Sequence, residues 1–171
     1  SREGGCRAGQ DRGQSADRGA APRSGVMSRV YGAEDTLMFL LDNGGTVTFL
    51  GSSLTLPVER RFGDIEGVQR YLGEVRSRPW GYPEAPQPQV RLRKGHARAH
   101  WQEGVIALPD GIGDRGWAMR EVVVLHEYAH HVTWFVHGVT GHGRAFQNVY
   151  LELLEHAIAP EAAFVVRAGL G

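Results

Sequence analysis

The spacing of apolar positions changes several times along the chain, and each change marks an element. Residues 33–41 carry apolar side chains at helical spacing and run into Asn43-Gly44-Gly45, which predicts a short helix with a glycine stop. Residues 46–50 and 54–58 alternate apolar and polar positions across Gly51-Ser52-Ser53, the pattern of a small hairpin. Asp64 is placed to cap a second helix reaching about Val75, with Ile65, Val68, Tyr71, Leu72 and Val75 on one face. The proline-rich stretch 79–88 reads as an irregular connection. Short strands are expected at 89–92, 97–101 and 104–108, with turns at Gly95 and Glu103-Gly104. A long helix is expected from Trp117 to about Val136, then a glycine-rich break over 137–143. A further helix is expected over 144–156, and a last one is opened by Pro160. The fold class is therefore α+β, a small antiparallel or mixed sheet packed on one long helix with further helices around it.

Residues 1–26 are nearly devoid of apolar side chains, so they cannot bury enough surface to offset the entropy of ordering. They are expected to form a disordered tail, and the composition changes so sharply at Met27 that the native start is expected there. Residues 27–171 then form a single domain.

Charge narrows the function classes. Basic and acidic residues number 19 each, and without the tail the balance is slightly acidic. No overall field draws the chain to a nucleic acid or an anionic surface. The local basic run Arg91, Arg93, Lys94 and Arg98 reads as a solvated strand face, so nucleic acid is not an expected partner. One cysteine, Cys6, excludes an internal disulfide and a thiolate metal cluster. No apolar run approaches the roughly 20 residues of a membrane span. No membrane partner is expected, and a cytoplasmic location is.

Eight histidines remain, five of them between His126 and His142. His126-Glu127-Tyr128-Ala129-His130 matches H-E-x-x-H inside the long helix. Residues four apart share a helix face, so both imidazoles can address one ion while Glu127 reaches a water beside it. The apolar run Val122-Val123-Val124-Leu125 buries this helix, and polar groups buried there call for a partner.

A catalytic zinc needs a third protein ligand. His131, His137, His142, Glu152, Glu155 and His156 are the candidates. His131 points about 100° away from His130, and His137 lies roughly 10 Å farther along the axis. Only a chain that turns back supplies the ligand, and Gly138, Gly141 and Gly143 permit such a reversal. His142 sits in it and is the first choice, with Glu152 and Glu155 on the next helix as alternatives. The metzincin continuation fails, because Thr133 and Val136 occupy its glycine and last histidine positions.

The segment HEYAHHVTWFVHGVTGHGRAF resembles the core motif of SprT-like zinc metallopeptidases, in which H-E-x-x-H is followed by a histidine in an H-G-x-x-F/W context. More broadly, residues 27–171 are similar to small actinobacterial metallohydrolases. The resemblance implies a minimal zincin-like domain with His126, His130 and His142 as ligands of one zinc ion and Glu127 as catalytic base. It also implies that residues 104–109 are the edge strand before the active-site helix. Unlike full-length SprT proteins, the chain has no cysteine zinc ribbon.

These readings converge on a zinc-dependent hydrolase, with a peptide or protein as the expected substrate. An extended peptide is expected to add to the strand of Val105, Ile106, Ala107 and Leu108. Arg144, Tyr150 and His137 are candidate donors to the transition state. Trp134 and Phe135 are expected to pack in the core. A hydrolase of non-peptide amides or esters shares every ligand, and a non-catalytic interaction module of the same fold is the remaining alternative.

Overall fold

The computed structural model describes residues 25–94, 98–110 and 117–171. The expected tail lies outside them except for Gly25 and Val26, which open the first helix. The turn at Gly95 also lies outside.

Helix α1 (Gly25–Asn43) begins well before residue 33 and buries Val30, Ala33, Leu37, Leu40 and Leu41. A hairpin follows, β1 (Thr46–Phe49) and β2 (Ser52–Thr55), with Leu50 and Gly51 both at positive φ. This two-residue turn shifts the reversal ahead of the expected Gly51-Ser52-Ser53. Helix α2 (Ile65–Ser77) starts where Asp64 accepts the Gly67 N–H at 2.7 Å. A 3-10 turn, Pro79–Gly81, then folds back on α2 so tightly that a Cβ on Gly81 would collide with the Val75 carbonyl.

Strands β3 (Gln89–Arg93), β4 (His100–Gln102) and β5 (Val105–Pro109) form a mixed sheet in the order β3-β5-β4. β5 pairs parallel with β3 and antiparallel with β4. The expected edge strand Val105, Ile106, Ala107 and Leu108 is therefore the central strand, with both edges paired and Ile106, Ala107 and Leu108 buried. The reason is the crossover that lays β3 beside it, a non-local pairing invisible to alternation. The edge positions belong to β3 and β4.

Helix α3 (Glu121–His137) starts four residues later than the pattern predicts. The preceding residues are held extended, with Arg61 bridged to Arg120, the Phe62 N–H donating to Met119 O and the Glu121 N–H donating to Arg60 O. Helices α4 (Arg144–Ala157) and α5 (Pro160–Leu170) follow and pack in sequence, α4 on α3 and α5 on α1 and α4. Gly169 touches Ala33 so closely that a Cβ there would lie 2.5 Å from the alanine methyl, which lets α1 and α5 approach. The described residues thus form a mixed α+β fold of five helices and two small sheets around a core centred on α3. No helix among them is long and apolar enough to cross a membrane.

Candidate metal centre

His126, His130 and His142 bring one ring nitrogen each to a common point, with all three atoms within 4.8 Å of one another. His126 and His130 stand one turn apart on α3. His142 arrives through the reversal after that helix, where Gly138 closes α3 at φ +69° and Gly141 adopts φ +85°. Gly143 keeps an ordinary φ of −70°, so two of the three glycines are used for their left-handed freedom. The Gln147 side chain donates to the His142 carbonyl at 2.9 Å and fixes the loop to α4. Beneath the three rings lies buried Phe146, with centroids 4.4 Å from His130, 4.8 Å from His142 and 5.0 Å from His126. This is the phenylalanine of the H-G-x-x-F run, and it gives the imidazoles an apolar floor.

The donor set fits a cation. Nε2 of His142 lies 3.1 Å from Nε2 of His126 and 3.2 Å from Nε2 of His130. Metal–nitrogen bonds of about 2.0–2.1 Å in a tetrahedron place ligands roughly 3.3–3.4 Å apart, close to this spacing. Burial and mutual repulsion keep His130 far below the usual imidazole range, and burial with the His126 charge lowers His142 to about 4. Both rings are neutral at pH 7 and offer lone pairs, as a metal requires.

His126 is held differently. Its Nδ1 lies 2.6 Å from Oε2 of Glu34, a buried carboxylate on α1. Burial opposes a proton on this imidazole, yet the charge and hydrogen bond of Glu34 win and raise its pKa. In the neutral ring the Glu34 contact keeps the one proton on Nδ1 and leaves Nε2 as the lone-pair atom facing the cluster, so a cation there competes with a second proton on Nε2. Glu34 was not singled out from sequence, although an acid on the apolar face formed by Val30, Ala33, Leu37 and Leu41 was the signal.

Glu127 is 4% exposed and borders cavities on both sides. Burial pushes its carboxyl up to about 7, against the His126 charge and a hydrogen bond from the Trp101 backbone N–H, which lower it. That hydrogen bond ties the edge strand β4 to α3. A second tie runs through buried His131, whose Nδ1 accepts the Trp101 indole N–H at 3.0 Å and whose Nε2 donates to Pro86 O at 2.7 Å. On the same helix the Tyr128 hydroxyl donates to Gly81 O at 2.6 Å. The irregular 79–88 connection and β4 together lock the rotation of α3. Tyr31 of α1 closes the other side, stacked on His126 at 5.3 Å and carrying the Arg98 guanidinium 4.0 Å above its ring.

Other sequence candidates fall elsewhere. Glu152 receives the Tyr82 hydroxyl at 2.5 Å and Glu155 is exposed, so neither joins the cluster. Tyr150 is buried beneath His126 with its hydroxyl donating to Val122 O at 3.1 Å, which makes it a supporting group rather than a substrate contact. Arg144 and His137 are exposed at the ends of α4 and α3. Trp134 and Phe135 are not core residues, being 44% and 45% exposed. The basic run is dispersed, with the Arg93 guanidinium donating to the Arg98 carbonyl and Arg98 turned onto Tyr31. Compared with protein-family models, curated proteins and solved structures, the chain matches none.

Proposed function

We propose that the protein is a metal-dependent hydrolase acting on peptides, with one zinc ion held by His126, His130 and His142 and Glu127 as general base. The observation that carries this reading is the convergence of three imidazole nitrogens beside a buried carboxyl at the wall of an open cavity. Bound there, zinc supplies Lewis acidity, lowering the pKa of water and polarising a carbonyl. Glu127, a carboxyl that burial raises in the metal-free chain, stands where it can take a proton from water and return it to the leaving amine. The Trp101 N–H orients the carboxyl through this exchange. Glu34 keeps the proton of His126 on Nδ1 throughout.

The bordering edge strand favours a peptide over a small ester or amide. Residues 99–103, which include β4, line the cavity, so an extended chain laid there finds main-chain donors and acceptors. Zinc analysis of the purified protein, paired with a peptide-cleavage assay, tests the reading. Stoichiometric zinc and cleavage are expected in the native chain, and zinc without cleavage in Glu127→Gln. Undiminished cleavage by the zinc-loaded variant refutes the role of Glu127, and a native chain that binds no zinc refutes the reading as a whole.

A further inference from the structure

Resting on the hydrolase reading, we infer that the cavity against Glu127 and His130 is a substrate pocket for one large apolar side chain, aromatic by preference, and that Trp134 determines this specificity.

Position comes first. The cavity measures about 500 Å³ and shares its wall with Glu127 and His130, so whatever fills it lies next to the reacting bond. That volume is within the range of about 300–1000 Å³ typical of ligand pockets and exceeds what a methyl group needs. Small residues leave this space open, since Ala99 and Gly141 stand where longer side chains would fill it.

The chemistry of the wall selects what enters. Trp134 follows His130 by four residues on α3, so it shares the ligand face and extends it outward. It is 44% exposed, a large apolar surface left in water beside the site. Trp101 lies 6.5 Å from it, and its indole N–H is already taken by His131, so it presents an apolar face. Among the described lining residues are two carboxylates, Glu103 and Glu127, and no lysine or arginine. An acidic side chain meets repulsion here, and a lysine ammonium would ion-pair with Glu127, which has to move protons. A neutral apolar group covers Trp134 with neither conflict.

Hexapeptides differing only in one central residue, Phe, Leu, Ala, Lys or Glu, provide the probe. They are titrated into the chelator-treated protein by calorimetry and tryptophan fluorescence, with zinc binding measured on the same preparations. The Phe and Leu peptides are expected to bind about tenfold tighter than the Ala and Glu peptides. Trp134→Ala is expected to erase the preference with an unchanged circular dichroism spectrum. Phe135→Ala, equally exposed but outside the cavity wall, is expected to keep it. Equal affinities across the series, tightest binding of the Lys peptide, or no binding of any peptide each overturns the pocket assignment. Zinc binding without side-chain preference overturns the pocket alone. Preference in a chain that takes up no zinc sinks the hydrolase reading and leaves a peptide-binding cleft.

Discussion

Glu34 and His126 stand 92 residues apart in the chain and 2.6 Å apart in the fold, and the contact sets which nitrogen of His126 faces its partners. A carboxylate behind a metal-binding imidazole fixes its tautomer and raises its basicity. Glu34→Ala is expected to weaken zinc binding about 10- to 100-fold, measured by competition with a chelator. Glu34→Gln, which retains an acceptor oxygen, is expected to fall between the two. Unchanged affinity in Glu34→Ala would show that the carboxylate serves packing alone.

His142 and Glu152 were rival third ligands, and their environments now separate them. His142 presents Nε2 to both partner rings, whereas Glu152 accepts from Tyr82. Zinc is expected to be lost from His142→Ala and retained at full stoichiometry by Glu152→Ala. The latter gives up one half-buried hydrogen bond, about 1–2 kcal/mol of stability. Zinc loss in Glu152→Ala with His142→Ala still loaded reverses the assignment.

The three-histidine cluster was legible because every step in it is local. Four-residue spacing on a helix fixes His126 and His130, and a glycine reversal brings His142 back within sixteen residues. Caps and helical stripes likewise exposed α2, α4 and α5. What escaped depends on contacts across the chain. β5 becomes central because β3 pairs with it in parallel, α3 starts late because residues 60–62 hold its approach extended, and Glu34 reaches His126 only once α1 has packed. Trp134 was misread for a related reason. Its apolar character is intrinsic, but its exposure depends on a cavity built from three separate segments.

Burial of Glu127 carries a pH signature in the metal-free protein. Its carboxyl rises from 4.5 to about 7 on folding. Between those values the folded chain keeps a proton that the unfolded chain has released, so this group's contribution to stability declines as pH rises through the window and is level above it. The decline amounts to about 3 kcal/mol. Glutamine has no proton to lose; the substitution also removes the Glu127 charge that helps raise His126, a smaller influence on that ring than Glu34. Glu127→Gln is therefore expected to gain on the native chain between pH 4.5 and pH 8, read by urea unfolding in chelator. A difference that stays constant across that range refutes the shift.

The N-terminal end of α3 is secured by a charge cluster whose removal is expected to destabilise the protein without touching the three histidines. Arg120 Nη2 lies 2.5 Å from Glu59 and 3.0 Å from Asp42, and the side chains of Arg120 and Glu59 are only 6% and 3% exposed. Glu59 also accepts the Val122 N–H at 3.0 Å, capping the helix that begins five residues before His126. Arg120→Ala leaves the Glu59 charge buried without its partner, and about 3–5 kcal/mol of stability is expected to be lost in denaturant unfolding. Replacing both, as in Arg120→Met with Glu59→Gln, removes the uncompensated charge while keeping an acceptor for the Val122 N–H. The pair is therefore expected to cost less than Arg120→Ala alone. Under conditions where either variant is folded, zinc stoichiometry is expected to match the native chain, because neither residue contacts the imidazoles. A double variant less stable than Arg120→Ala would show that the unpaired Glu59 charge is not a net cost, and that the start of α3 depends on that charge rather than on an acceptor for the Val122 N–H.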